Sequence, residues 1–214
     1  MRRIRDSFSH ALLASLCLAA AAGCTEQNGS LVILQNQPFG EENCEVSGTR
    51  SDVYVPFGML DLDAQLPYLI RPLLMNGAVA VEGQLALHYA FLKGADIQLL
   101  PGPQQTSIDL INSLKTEAVR TQRFSGSVSP NGGTAATIFP AIDADQAVVL
   151  ATRVPVGSFV SVVARITVFA DMDGGEIATE PFDFPITLCQ DCRSAPLDDQ
   201  GKPKNICSYL AYQN

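Results

Sequence analysis

Phe159 to Ala170 is a run rich in Val, Ile, Thr and Phe, and Asp173-Gly174-Gly175 separates it from a second run, Glu176 to Leu188. β-Branched and aromatic side chains suit a pleated, half-buried surface, and glycines supply the positive φ of a tight turn, so the segment reads as a long β-hairpin. The rest of the chain must supply strands around it. Leu31 to Gln35 reads as a first strand, and Tyr54 and Val55 as an extended run ending near Pro56 and Gly58. Tyr68, Leu69 and Ile70, between Pro67 and Pro72, fit an edge strand, where proline is tolerated best.

From Leu87 to Leu99 the odd positions Leu87, Tyr89, Phe91, Ala95, Ile97 and Leu99 are apolar, interrupted at Lys93. That period predicts a strand with a bulge near Gly94; a helix from Val81 to Leu92 is the competing reading. Ile108, Ile111, Leu114 and Ala118 recur at helix spacing after Ser107, a candidate cap. Asp143 is placed to cap a second short helix through Ala147 to Ala151. Phe124 to Pro130 leads into Asn131-Gly132-Gly133 and then Ala135 to Phe139, which reads as another hairpin. Strands joined by glycine and proline turns, without a βαβ alternation, predict a mainly β chain: an immunoglobulin-like antiparallel β-sandwich with one or two short helices.

The amino terminus carries a different message. Arg2, Arg3 and Arg5 precede an apolar run from Ala11 to Ala22 that ends in small residues before Gly23 and Cys24. The run is shorter than the about 20 apolar residues needed to cross a bilayer and reads as an export signal. Ala21-Ala22-Gly23-Cys24 resembles the lipobox of bacterial lipoproteins, with Ala21 standing where that family most often has Leu. The later layout, an early Cys44, a Gly-Gly hairpin, Phe182-Asp183-Phe184-Pro185-Ile186 and Cys189-x-x-Cys192, resembles bacterial lipoproteins with no assigned activity.

The resemblance implies that residues 1–23 are a signal peptide and that Cys24 is the lipidation site, with a diacylglyceryl group on its sulfur and usually an acylated amine. Two or three acyl chains hold a protein stably at a membrane where one does not. Thr25 in place of Asp after the cysteine is compatible with the outer membrane. Residues 24–30 are polar and small, as a flexible tether requires, and residues 31–214 are left as a single β-sandwich domain. The implied location is the cell envelope.

The chain has 214 residues and a formal net charge of −8, and loss of the three signal arginines makes it more acidic. Nucleic acid is excluded as a partner, because phosphate binding needs clustered Lys and Arg. The expected partners are the membrane, through the lipid, and a protein or glycan in the envelope. With Cys17 in the signal and Cys24 assigned to lipid, Cys44, Cys189, Cys192 and Cys207 remain, an even set that suggests two disulfides in an oxidising compartment. Three pairings are open. Cys192 with Cys207, stapling the C-terminal tail, and Cys44 with Cys189 is preferred, with Cys189 to Cys192 as runner-up.

Candidate chemistry reduces to a few constellations. Cys189-x-x-Cys192 could join Cys207 and Cys44 in a zinc site, or act as a redox pair, but an exported compartment and a strand-end position favour structural disulfides. Asp171, Asp173, Glu176 and Asp183 crowd one hairpin end with oxygen ligands suited to calcium; turn chemistry is the plainer reading. His88 is the single histidine after the signal, and no G-x-S-x-G elbow accompanies it, Ser125-Gly126-Ser127 lacking the context. Asp61 with Asp63, and Asp143 with Asp145, fit caps or a solvated surface better than a glycosidase pair. No catalytic residue, metal ligand or cofactor is therefore expected. The leading expectation is a lipid-anchored protein with a structural or partner-binding role. The rival is an exported hydrolase with acidic residues in a cleft between Leu60–Ala80 and Pro101–Arg120.

Overall fold

Strand β9 (Phe159–Met172) organises the molecule, because its alternation is unbroken: Val160, Val162, Ala164, Ile166, Val168, Ala170 and Met172 are buried, and the odd-numbered residues between them are partly or fully exposed. The computed structural model describes residues 30–39, 48–80, 83 and 88–192. One edge of β9 pairs with β10 (Gly175–Ala178) and then β11 (Phe182–Cys189), both antiparallel, which realises the expected hairpin. Between the two, Thr179 keeps the ladder closed: its N–H donates to Val168 O at 2.8 Å, and its Oγ1 accepts from Val168 N at 3.1 Å. The turn is made by Asp173 and Gly174, both at positive φ.

The other edge of β9 pairs with β5 (Ala90–Pro101), and β5 with β6 (Val119–Val128), again antiparallel. Register shifts between Leu92 and Gly94 on both sides of β5, so the expected bulge is there. Its effect on the faces was not legible. Ala90 and Leu92 point inward before the bulge, and Ala95, Ile97 and Leu99 after it, which leaves Phe91 54% exposed on the outer face instead of sharing the core with Ile97. Gly94 is required there because a Cβ would run into the Gln122 carbonyl oxygen. The sheet closes with β2 (Gly58–Asp61), which runs parallel to β11 and lies beyond the Tyr54–Val55 stretch expected to be extended, giving the order β2-β11-β9-β5-β6.

Two small antiparallel sheets cover the inward face. One has β1 (Leu31–Asn36), β4 (Pro72–Asn76) and β7 (Gly133–Ala136), with β4 central; the other pairs β3 (Tyr68–Ile70) with β8 (Phe139–Ile142). Pro72 is tolerated as the first residue of its strand. The described residues are thus mainly β, antiparallel among them apart from the β2–β11 pair, sandwich-like, and fitted with two short α-helices. One apolar core unites the layers: Leu31 and Leu74 from one sheet, Tyr68 and Phe139 from another, and Leu92 and Ile166 from the large one.

Asn131-Gly132-Gly133 does not close a hairpin. Asn131 and Gly132 take positive φ as expected, but β6 stays in the large sheet while β7 pairs with β4, so the turn carries the chain from one layer to the other. Phe124 of β6 stacks on Phe139 of β8 across the layers, with ring centroids 4.9 Å apart. At the same corner Asn76, fully buried, donates to the carbonyls of His88 at 2.8 Å and Val128 at 3.1 Å and accepts from Ala78 N at 3.0 Å.

The helices are α1 (Gln105–Leu114) and α2 (Ala144–Ala151). Asp143 caps α2 in a full capping box, its carboxylate accepting from Gln146 N at 2.7 Å while Gln146 Oε1 accepts from Asp143 N. Ser107 is not a cap. It lies inside α1, fully buried, where its hydroxyl accepts from Gly102 N and donates to Ser161 O at 2.6 Å, pinning the helix to the end of the large sheet. Arg71, between β3 and β4, is also fully buried, its guanidinium carbon 3.3 Å from the centre of the Phe39 ring; burial lowers its pKa to about 9, against an opposing pull from Tyr68.

Candidate functional site

The residues singled out in the sequence are scattered, and each one described has a structural occupation. Cys24, Cys44 and Cys207 lie outside the described residues. Cys189 and Cys192 come to disulfide-bonding distance, with Cα atoms 5.9 Å apart. That replaces the preferred pairing of Cys44 with Cys189 and Cys192 with Cys207. The cause is local: β11 ends at Cys189, Asp191 takes a φ of 52°, and the chain folds back so that Cys192 N donates to Asp61 Oδ2 at 3.1 Å. Asp61 is a buried cap that also accepts from Asp63 N, and Asp143 caps α2 while accepting from Arg120 Nε at 3.2 Å. Neither aspartate pair forms a facing set of acids.

The carboxylates at the acidic hairpin end are paired with side chains of neighbouring strands and loops. Lys93 Nζ lies 3.1 Å from Asp171 and 3.5 Å from Glu176, and His88 Nδ1 lies 2.7 Å from Asp173; Asp183 does not join them, because the register sets it opposite Arg165, six residues along β9 from Asp171, where Arg165 grips it with two hydrogen bonds of 2.7 Å. Among the described residues no group of three or more His, Cys, Asp or Glu side chains is placed to hold a metal ion. Arg165 holds the Asp183 carboxyl below its ordinary value of 3.8, chiefly by hydrogen bonding. A depressed carboxyl stabilises the fold above its unfolded pKa and loses that contribution as pH falls through the folded one. Asp183→Asn is therefore expected to flatten the acid limb of a stability-versus-pH curve below about pH 4 and to leave its shape above pH 6 unchanged, as read by urea unfolding. An identical acid limb in the variant would refute the coupling.

A concave site occurs elsewhere, between one face of α1 and the segment 153–160 that leads into β9. It is a pocket of about 380 Å³. Its floor is Leu110, Val154 and Val160, all buried, and its rim carries Asp109, Arg153 and Phe159. The helix supplies its share through the i, i+3, i+4, i+7 positions Thr106, Asp109, Leu110 and Ser113, which lie on one face. Ser113 Oγ donates to Leu110 O and accepts from Arg153 Nη1 at 2.6 Å, so the guanidinium is held over the last turn of α1. Glu117 Oε2 stands 3.9 Å from Arg153 Nη2, and Gln105 Nε2 donates to Asp109 Oδ1 at 3.0 Å.

Phe159, 55% exposed, adds apolar surface at the mouth. Apolar pockets with a few directed polar groups are the usual form of small-ligand sites. The expected cleft between Leu60–Ala80 and Pro101–Arg120 is not what forms: Leu60, Leu62, Ile70 and Leu74 are core, and only the second region contributes, against the segment 153–160. The sequence reading passed over Asp109 and Arg153. The α1 stripe was available at helical spacing, but nothing local announces that segment 153–160 lies opposite it. A second, more polar concavity of about 330 Å³ lies beside β1, lined by Gln35, Arg50, Asp52 and Tyr54. Among the described residues no helix is long and apolar enough to cross a membrane. Comparison with protein-family models, with curated proteins and with solved structures finds no match to this chain.

Proposed function

We propose that this chain is a bacterial lipoprotein, held in the cell envelope at the outer membrane by acyl chains on Cys24, whose β-sandwich binds a partner without transforming it. The observation that carries the proposal is the order Arg2-Arg3, apolar Ala11–Ala22, Gly23-Cys24: a short export signal that stops at an acylatable thiol. The Cys189–Cys192 pair fits an oxidising compartment. For the binding role, support comes from the α1 pocket, where an apolar floor meets one cation and one carboxylate. A hydrolase of the acid-pair type needs two converging carboxylates, and among the described residues Asp109 is the one carboxylate lining this pocket.

Cys24→Ser is the test. In cells expressing the full chain, the variant is expected to move from the membrane fraction to the soluble fraction, since removing the acylated thiol removes about 0.8 kcal/mol for every methylene buried in the bilayer. Retention of a normally processed variant at the membrane would overturn the anchoring.

A further inference from the structure

We propose that the α1 pocket takes a free α-amino acid with an apolar side chain; this rests on the binding reading above and names its ligand. Charge placement carries the argument. Asp109 and Ser113 are four residues apart on one helix face, so their Cβ atoms stand about 5–6 Å apart, and Ser113 holds the Arg153 guanidinium above itself. One turn of helix therefore separates a carboxylate from a guanidinium on the same rim. An α-amino acid carries an ammonium and a carboxylate on a single carbon, and with hydrogen bonds of about 2.8 Å at each end it bridges such a gap.

A ligand with only one of these charges is matched at one end and opposed at the other: a simple anion meets Asp109, and a simple cation meets Arg153. The zwitterion satisfies both. Glu117 Oε2, a buried atom, stands 3.9 Å from Arg153 Nη2, beyond hydrogen-bond length, so it leaves the guanidinium's donors free to meet a ligand carboxylate. Behind the charges, Leu110, Val154 and Val160 form a buried apolar floor with Phe159 at its mouth, which suits an aliphatic or aromatic side chain. The volume of about 380 Å³ is at the small end of ligand pockets, in keeping with an occupant of this size.

Calorimetric titration of the mature protein with leucine and phenylalanine tests the proposal, run beside N-acetyl-leucine, which lacks the ammonium, leucinamide, which lacks the carboxylate, and the dipeptide Gly-Leu. The free amino acids are expected to bind at least tenfold more tightly than any of the three analogues. Arg153→Met and Asp109→Asn, both at exposed positions and checked for folding by circular dichroism, are each expected to weaken leucine at least tenfold. Arg153→Met should also abolish the preference for leucine over leucinamide. Equal or tighter binding of Gly-Leu would overturn the ligand class while leaving a partner-binding pocket. Absence of binding by every compound overturns the proposal outright. Binding of leucine followed by its chemical conversion, seen by NMR of the ligand, would support the ligand class and overturn the non-catalytic reading.

Discussion

Asn76→Ala is expected to lower the unfolding free energy by about 3 kcal/mol, a large effect for one small side chain. Asn76 is fully buried at the corner where β4 of one sheet meets the start of β5 and the end of β6 of the other. Its amide donates to the carbonyls of His88 and Val128, and its oxygen accepts from Ala78 N. Alanine leaves these backbone groups without that partner in a place water reaches poorly, at a cost of about 1–3 kcal/mol for each group left unsatisfied. Asn76→Asp is the sharper variant. A carboxylate has the same shape but no donor, and it would face two carbonyl oxygens, so its loss at neutral pH is expected to exceed that of alanine. Urea unfolding of the three proteins checks both statements. Losses under about 1 kcal/mol, or a milder effect for Asp than for Ala, would contradict the role assigned to this corner.

Phe184→Ala is expected to cost about 3–5 kcal/mol. Phe184 is 1% exposed on the inward face of β11, and its ring lies 6.0 Å from that of Tyr68, itself fully buried on β3. The contact joins the large sheet to the small β3–β8 sheet, so truncation removes a large apolar area and leaves a cavity that two sheets must move to close. Phe182, two residues earlier on the same face, is only partly buried, and Phe182→Ala is expected to cost clearly less. Equal losses at the two positions would mean that the inward face of β11 is not packed as described.

These residues also mark what the sequence could and could not convey. The β9 hairpin was legible because period-two burial runs through the whole of β9 and the Asp-Gly-Gly turn is chemically explicit. Asp143 was legible for the same kind of reason: a cap is a local bargain between one side chain and the next three residues. The bulge at Gly94 was anticipated, but its consequence, the switch of inward face that exposes Phe91, depends on register against β6 and β9. The Asn131-Gly132-Gly133 turn shows the limit plainly. Its backbone geometry is encoded locally, whereas the sheet that receives the following strand is decided by β4, more than fifty residues earlier.

Ser107 fits the pattern. It has the chemistry of a cap and is used to tie α1 to Gly102 and Ser161, a tertiary choice. The candidate site was the least legible part. Asp109 is an unremarked acid on a short helix, and Arg153 follows α2 in an irregular segment; only the packing of α1 against the end of β9 sets them on one rim. Cys189 and Cys192 carried a spacing that admitted a tight pair, and the positive φ of Asp191 decides it.

Mass spectrometry of the amino-terminal peptide of the mature protein, isolated from the membranes of expressing cells, tests the central claim most directly. The account predicts a chain that begins at Cys24 and carries a diacylglyceryl mass on its sulfur. An unmodified Cys24, or a mature chain that starts at another residue, would contradict it.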